Sequence, residues 1–349
     1  MSGWIQEFQR QYQVVVYRYE ERTNGYWLET SKGTYFLYPV PLAFRGKDQY
    51  VASMYEQMNS RFLLPIQGIP EGSSFAQIGE QSIFVTHWPY EEEERVDYAL
   101  LGHSLASFHL TSAKRIKRFD NKYRAWNTWP RDWKKRVNLL PNFKRIAVTR
   151  VERKEADDFD RFFLENFQYL YHSGRSAIAY LQDCNYPLVC KETKKFGRLA
   201  YIHFGPDQFV TVQGRVYFTD PFSWVDDMRV RDIGQWIKAD VREHGWDPRR
   251  VYPFLSAYHQ CSPLIPEEFA IMYAMFLLPG RVIKKYEGLY YQPSSFTGDN
   301  LEVELFREET EIMTPYGAYL ELKRNDVLLR EFPRFVEDAF GVVIPRVTF

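Results

Sequence analysis

Asp220 closes a short apolar run, Val216-Tyr-Phe-Thr, and is followed by Pro221-Phe222. Upstream stands Tyr201-Ile-His-Phe-Gly-Pro-Asp-Gln-Phe-Val. Together these read as strand, polar loop, strand, a turn at Gly214, and a strand ending in an acid. That is the layout of a phosphoryl-transfer loop with a metal-binding aspartate downstream. Such chemistry needs a carboxylate two residues after the loop histidine, to accept the proton of the attacking hydroxyl. After His203 that position is Gly205. The loop is short by roughly three residues, which brings Asp207 or Gln208 near the position of a metal-binding Asn. Two readings stay open for Asp207: a shifted base, or a loop acid and vestigial metal ligand. A base must lie within hydrogen-bond reach of its proton, and a shortened loop is poorly built to place one there. No catalytic residue is therefore expected in the degenerate loop His203, Gly205, Asp207. Asp220, with Asp207, is the expected metal pair if a metal binds. Asp226-Asp227 could also hold a cation, although an exposed loop is the commoner outcome for such a pair.

Phosphate must also be held from the other side. In Gly33-Thr-Tyr-Phe-Leu-Tyr-Pro the position of a phosphate-pairing lysine is Tyr38. A tyrosine is neutral at pH 7 and cannot clamp phosphate as a cation. Glu56 is the natural helix acid for such a lysine and has no obvious partner. Lys32 and Lys47 lie in flanking loops. Thr23-Asn-Gly25 holds one glycine, so no rich phosphate cradle is expected there. Thr86, His87 and Trp88 fall where a hinge would meet a nucleotide base, and Trp88 could fill that cleft or sit in the core.

Elements must position these residues. Val14–Tyr19, Tyr26–Thr30 and Thr34–Tyr38 read as strands joined by tight turns at Thr23-Asn-Gly25 and Ser31-Lys-Gly33. Val51, Met54, Tyr55 and Met58 recur at helical spacing over Asp48–Phe62. Pro65–Gly72 reads as loop and Ser82–His87 as a strand. A strong helix runs over Val96–Leu110, behind the acidic run Glu91–Glu94, which suits a helix start. The rest reads mostly helical apart from the strands around 201–220. Lys114–Arg118 reads as a solvated helix end. Gln292–Asn300 reads as a linker to a helical C-terminal extension.

Composition sets bounds. The chain has 349 residues, and its 45 basic and 45 acidic side chains cancel. No global field draws it to nucleic acid or anionic membrane. Phe269–Leu278, the longest apolar stretch, is too short to span a bilayer. The N-terminus lacks the basic start and apolar run of a signal peptide. Three cysteines imply no disulfide framework, and Cys184 and Cys190 are spaced as structural thiols rather than a zinc knuckle. No Gly-x-Ser-x-Gly elbow, His-Glu-x-x-His motif or Gly-x-Gly-x-x-Gly fingerprint is present.

Leu101-Gly-His-Ser-Leu-Ala-Ser-Phe-His109 resembles the Leu-Gly-x-x-Leu-Ala-x-x-His helix of the aminoglycoside phosphotransferase and choline kinase superfamily. His103 and His109 face apart on a helix and make a poor metal pair, so packing is the expected role. With the 201–232 block the arrangement resembles the kinase-like spore coat proteins of Bacillus, the CotS/YutH group, and most of all the YutH type. Asp232 in Val230-Arg-Asp-Ile-Gly matches the acid that begins a core helix and braces the loop. The resemblance implies a two-lobed α+β protein-kinase-like fold. Its small β-rich N-lobe is expected at 1–89, its mainly helical C-lobe at 90–291 and its extension at 292–349. It implies synthesis in the mother-cell cytoplasm, a place in the spore coat and other coat proteins as partners. No nucleic acid, membrane or resident cofactor is expected, and ATP with Mg only if the chain is active. Three functions are carried forward: a degenerate kinase with a structural or interaction role, an active ATP- and Mg-dependent small-molecule phosphotransferase, and a nucleotide- or ligand-binding switch.

Overall fold

The computed structural model describes residues 3–22, 25–40, 48–58, 61–68, 75–79, 81–89, 95–113, 123–290 and 313–347. The expectations for Thr23, Asn24, Lys47, Glu91–Glu94, Lys114–Arg118 and Gln292–Asn300 lie outside the described residues. The chain divides into two compact units. The first comprises Met1–Arg118, Tyr201–Trp224 and Pro253–Ser262; the second comprises Phe119–Ala200, Val225–Tyr252 and Pro263–Phe349.

The first unit opens with α1 (Gly3–Tyr12), β1 (Val16–Arg22), β2 (Gly25–Thr30), β3 (Gly33–Pro39) and α2 (Asp48–Gln57). It continues with β4 (Phe75–Ile78), β5 (Gln81–Trp88) and α3 (Tyr98–Ala113). The strands form one sheet in the order β1-β2-β3-β5-β4, every neighbour antiparallel. Strand alternation sends β3 side chains to both faces. Tyr35 and Leu37 join Leu28, Val85, Ile83 and the α1 residues Ile5, Phe8 and Tyr12 in one core. Phe36 and Tyr38 point to the opposite face, where Phe36 packs against Tyr38 at 4.6 Å and Trp88 at 5.0 Å between centroids.

Three features differ from expectation. The helix α1 and the strand β4 are additions. The helix α2 stops at Gln57, short of Phe62. Phe62 is instead drawn into strand-like pairing: its carbonyl accepts the Phe218 N–H at 2.8 Å, and Leu63 bridges Phe218.

The segment after residue 198 gives β6 (Leu199–Tyr201), β7 (Phe209–Val212), β8 (Arg215–Phe218) and β9 (Trp224–Asp226), with 3-10 turns at Pro206–Gln208 and Pro221–Ser223. β7 and β8 form a hairpin whose two-residue turn has Gln213 at φ 49° and Gly214 at φ 65°. Both are left-handed, as a tight hairpin turn requires, and Gly214 adopts that without steric cost.

The second unit holds α4 (Trp129–Glu152), α5 (Asp158–Asp183), α6 (Tyr186–Phe196) and α7 (Val230–His244). It also holds the start of α8 (Pro248–Cys261), then α9 (Pro266–Leu277), α10 (Gly280–Tyr290) and α11 (Pro315–Phe340). The apolar run over α9 is buried almost throughout, and α11 packs on it through Phe332 and Phe276 at 4.9 Å. No described helix is long and apolar enough to cross a membrane. The three cysteines are free thiols. Burial pushes the Cys184 thiol up to about 12 and the Cys190 thiol up to about 11, so both stay protonated and unreactive near neutral pH.

Candidate functional site: a loop, an acid and a buried tyrosine

The loop after β6 closes in a tight 3-10 turn at Pro206–Gln208. Gln208 makes it rigid. Its side-chain oxygen accepts the Gly205 N–H at 2.9 Å, and its own N–H donates to the Gly205 carbonyl at 3.1 Å. Thr219 then ties the turn to the strand that ends in the acid. Its N–H donates to the Gln208 carbonyl at 2.9 Å, and its hydroxyl donates to the Asp207 carbonyl at 3.1 Å. The Tyr201 hydroxyl donates to the Thr219 carbonyl at 2.8 Å. Asp207 is exposed, His203 half-buried and Gly205 buried.

Asp220 is buried, with φ 51° and ψ 64°. A left-handed aspartate is uncommon and costs energy, so surrounding contacts must hold it. The Ser223 hydroxyl donates to its carboxylate and the Ser223 N–H to its carbonyl. Asp220 and Asp207 therefore differ in kind: one is enclosed, the other open to solvent.

Tyr38 faces Asp220 from β3. Only 2% of it is exposed. Its hydroxyl lies among the Thr86 hydroxyl, the Thr219 hydroxyl and the Asp220 main chain. Burial, and then the negative charge of Asp220, push its ionisation well above the ordinary tyrosine range. Thr86 Oγ1 is buried and forms no well-shaped hydrogen bond of its own, although the Tyr38 hydroxyl faces it. Tyr55 of α2 is the next side chain in. Its hydroxyl donates to the Leu64 carbonyl at 2.5 Å. Burial, and then the neighbouring Tyr38, raise its ionisation as well. At neutral pH both phenols are uncharged. Tyr38, at the expected lysine position, thus meets a second neutral phenol, Tyr55, which precedes the expected helix acid Glu56 in α2.

Glu56, the expected helix acid, is exposed and holds no ion pair among the described residues. The Lys32 ammonium is engaged elsewhere, with the Tyr12 carbonyl at 3.5 Å. Trp88 stacks on Phe36, and the Arg22 guanidinium lies 5.5 Å from its ring centroid. The Thr34 hydroxyl donates to its carbonyl at 2.7 Å. His87 lies on the other face against Tyr35 at 5.0 Å, and burial lowers its basicity. Thr86, His87 and Trp88 are thus consecutive in β5 and alternate between sheet faces.

Asp226 and Asp227 are not an exposed acidic loop. Both are buried. Asp227 accepts the Arg231 guanidinium at 2.7 Å, the Trp129 indole N–H at 3.0 Å and the Met228 N–H at 2.8 Å. Asp226 accepts the Trp126 indole N–H at 3.0 Å. Burial, only partly offset by these donors, raises both carboxyls above the usual range. Asp232 is buried in the first turn of α7. Among the described residues no group of three or more His, Cys, Asp or Glu could hold a metal ion.

The Leu101–His109 helix is structural. Leu101, Leu105, Ala106 and Phe108 are fully buried. His109 Nδ1 and the Tyr258 hydroxyl share a hydrogen bond of 2.7 Å, while His103 is exposed.

Sequence reasoning names Gln208, Thr219 and Tyr55 but misses the cap made by Gln208, the ties made by Thr219 and the place of Tyr55 beside Tyr38. Nothing marks Gln208 as a cap except its place three residues after Gly205. Tyr55 was legible as a buried helix position, but the adjacent acid drew the role.

A small antiparallel sheet, a mainly helical remainder, and a hairpin bearing a loop and a terminal acid define the class: an α+β, two-lobed protein-kinase-like fold. Solved structures of an aminoglycoside phosphotransferase and of a choline kinase share that fold. The structure of an aminoglycoside phosphotransferase from Alicyclobacillus acidocaldarius is similar, with a TM-score of 0.69 and 15% identity over 94% of this chain and 95% of that one. The family model "Spore coat putative kinase YutH" matches residues 5–314, and the chain belongs to that family. The endospore coat-associated protein YutH of Bacillus subtilis is 23% identical over 202 residues, 55% of this chain and 53% of that protein. Spore coat protein S of the same organism is 22% identical over 174 residues, 49% of this chain and 48% of that protein. The chain spans about half the length of the curated relatives it matches.

Proposed function

We propose that this chain is a spore-coat-associated, degenerate kinase whose fold serves a structural or interaction role. Its partners would be other coat proteins, and its synthesis would take place in the mother-cell cytoplasm. The lobes would run over 1–89 and 90–291, with an extension over 292–349. The observation that carries the reading is Tyr38. A buried, neutral phenol faces Asp220 where phosphate handling needs a cation. A magnesium–triphosphate needs acidic ligands for the metal and positive charge for the phosphates. Asp220 offers one carboxylate, Asp207 is exposed, and Tyr38 and Tyr55 supply no charge. The described residues therefore do not fit that group as a reactive complex.

One observation favours a second reading, a nucleotide- or ligand-binding switch. Asp220 keeps a strained left-handed backbone, and such strain gathers at ligand sites. Calorimetry with ATP and magnesium on the wild type and on Asp220→Ala separates the two. No binding heat in either protein is the expected result. Magnesium-dependent binding that disappears in Asp220→Ala would overturn the scaffold reading and reopen phosphotransfer.

A further inference from the structure

The strand β1 is an open edge. The sheet order leaves β2 as its one neighbour among the described residues. Tyr17, Arg18, Tyr19, Glu20 and Glu21 are all exposed, Tyr17 at 66% and Tyr19 at 52%. An edge strand presents a row of unpaired N–H and C=O groups, a template for another strand. Proteins commonly blunt such edges with charge, and β1 carries charge: Arg18, Glu20, Glu21 and Arg22. The order of those charges decides what they repel.

We propose that two copies of this chain associate through β1, antiparallel, about a two-fold axis at Tyr19. In an antiparallel ladder, opposed residues must both point their backbone groups at the partner or both away. A strand paired with its own copy meets that condition only when the axis passes through a residue. Full overlap of Val16–Arg22 puts the axis at Tyr19. Arg18 then faces Glu20 of the second copy, and the same pair recurs across the axis. Tyr17 faces Glu21, and Tyr19 faces Tyr19. No like charges are opposed. Moving the axis to Arg18 opposes two arginines. Moving it to Glu20 opposes two glutamates and sets Arg18 against Arg22. Moving it to Glu21 opposes two glutamates. Moving it to Tyr17 leaves only Val16, Tyr17 and Arg18 overlapped. The fully overlapped register is thus also the charge-complementary one, and opposite charges directly across a pair stabilise it.

The side chains are set for this contact. Arg18 and Arg22 hold their guanidinium groups 5.8 and 6.0 Å from the Trp27 ring centroid. Glu20 lies 3.4 Å from the Arg22 Nε, while Arg18 holds no ion pair among the described residues. On the other face Trp4 props Tyr19 edge-on at 6.0 Å. The register shift against β2 falls between Val16 and Arg18, at one end of the overlap, and the Val16 N–H is held by the Gln9 side chain at 2.8 Å, so the contact is carried by the regular Arg18–Glu20 centre and its charge pairs. The contact is isologous and closes on itself, so it gives a dimer with a continuous sheet rather than a filament.

The test is light scattering on size-exclusion chromatography at high micromolar concentration. The wild type is expected at twice the chain mass. Arg18→Glu sets glutamate against glutamate and should run as a monomer. Glu20→Arg sets arginine against arginine and should do the same. The double variant, Arg18→Glu with Glu20→Arg, restores complementarity and should return to dimer. The two single variants, mixed, should form a heterodimer, because each supplies the charge the other lacks. Both substituted positions, Arg18 and Glu20, are exposed, and circular dichroism confirms that each variant is folded. A monomeric wild type overturns the proposal. So does a single variant that stays dimeric, or a mixture that stays monomeric.

Discussion

Asp227 shows how far a residue's surroundings can depart from its reading in sequence. Two adjacent acids suggest a solvated, cation-seeking loop. The chain instead encloses both, and Asp227 is held by a guanidinium, an indole N–H and a backbone N–H. A buried carboxylate is tolerated only when its lone pairs are filled and its charge is matched. Arg231 depends on Asp227 in the same way, since only 9% of its side chain is exposed. Asp227→Ala leaves that guanidinium buried without its carboxylate. The expected loss is about 3–5 kcal/mol of unfolding free energy. Urea denaturation followed by tryptophan fluorescence measures it. A loss close to zero would mean that solvent reaches Arg231 freely. The opposite lesson comes from Tyr38, whose consequence was legible from its type alone. A phenol at that strand position could not be a cation, and burial beside Asp220 makes it less acidic still.

At the scale of the element, periodicity carried most of the fold. Gly33 between two apolar, β-branched and aromatic runs was enough to place β2 and β3. The spacing of Leu101, Leu105 and Phe108 was enough for α3. Two elements escaped. Trp4, Ile5, Phe8 and Tyr12 do repeat at helical spacing, but a single ten-residue stretch of repeats at a chain start is weak evidence beside the strands that follow. Phe75–Ile78 is too short for alternation to stand out from loop. The loop at 201–220 was legible in outline, because its strand, turn and acid have sequence signatures. Its rigidity was not, since a side chain capping a backbone three residues away leaves no periodic trace. Gly102 makes a sharper case. In the motif it is only a small residue; in the fold a β-carbon there would lie 2.0 Å from the Phe254 carbonyl oxygen. The helix backbone can approach residue 254 only because that carbon is missing. Gly102→Ala gains helix propensity but forces the two backbones apart, and overpacking of this kind costs about 1–3 kcal/mol. The gain in propensity is about 1 kcal/mol, so the net change is a loss or near balance. Thermal melting of Gly102→Ala against an exposed His103→Ala control on the same helix distinguishes contact from propensity. A stabilised Gly102→Ala would show that the approach is not close.

At the scale of the whole molecule, phosphate handling is a property of parts placed together. A strand cation, a helix acid, a loop base and a terminal metal ligand must act on one substrate. In this chain they sit on β3, α2, the turn after β6 and the end of β8. On the proposed reading Asp220 keeps the last of these among the described residues, while Tyr38 and Gly205 stand at the first and third and Glu56 is exposed without an ion pair. Changing one part back should therefore not return the activity. Tyr38→Lys is the direct trial, because it restores the missing cation at its expected place. The lysine would stand among the rings of Phe36, Phe84 and Tyr55, with Asp220 as its nearby counter-charge. Tyr55 cannot receive it as a glutamate would, and Gly205 still offers no base. Taking an ammonium out of water costs several kcal/mol unless geometry and hydrogen bonds compensate. Tyr38→Lys is thus expected to melt earlier than the wild type and to release no more ADP from ATP with magnesium over a panel of hydroxyl and amine acceptors. Tyr38→Phe separates the two effects, since it removes the hydroxyl without adding charge. It should be the milder change in stability and equally silent in turnover. ATP turnover appearing in Tyr38→Lys alone would mean that the remaining parts were already in place, and that one residue had silenced a working kinase.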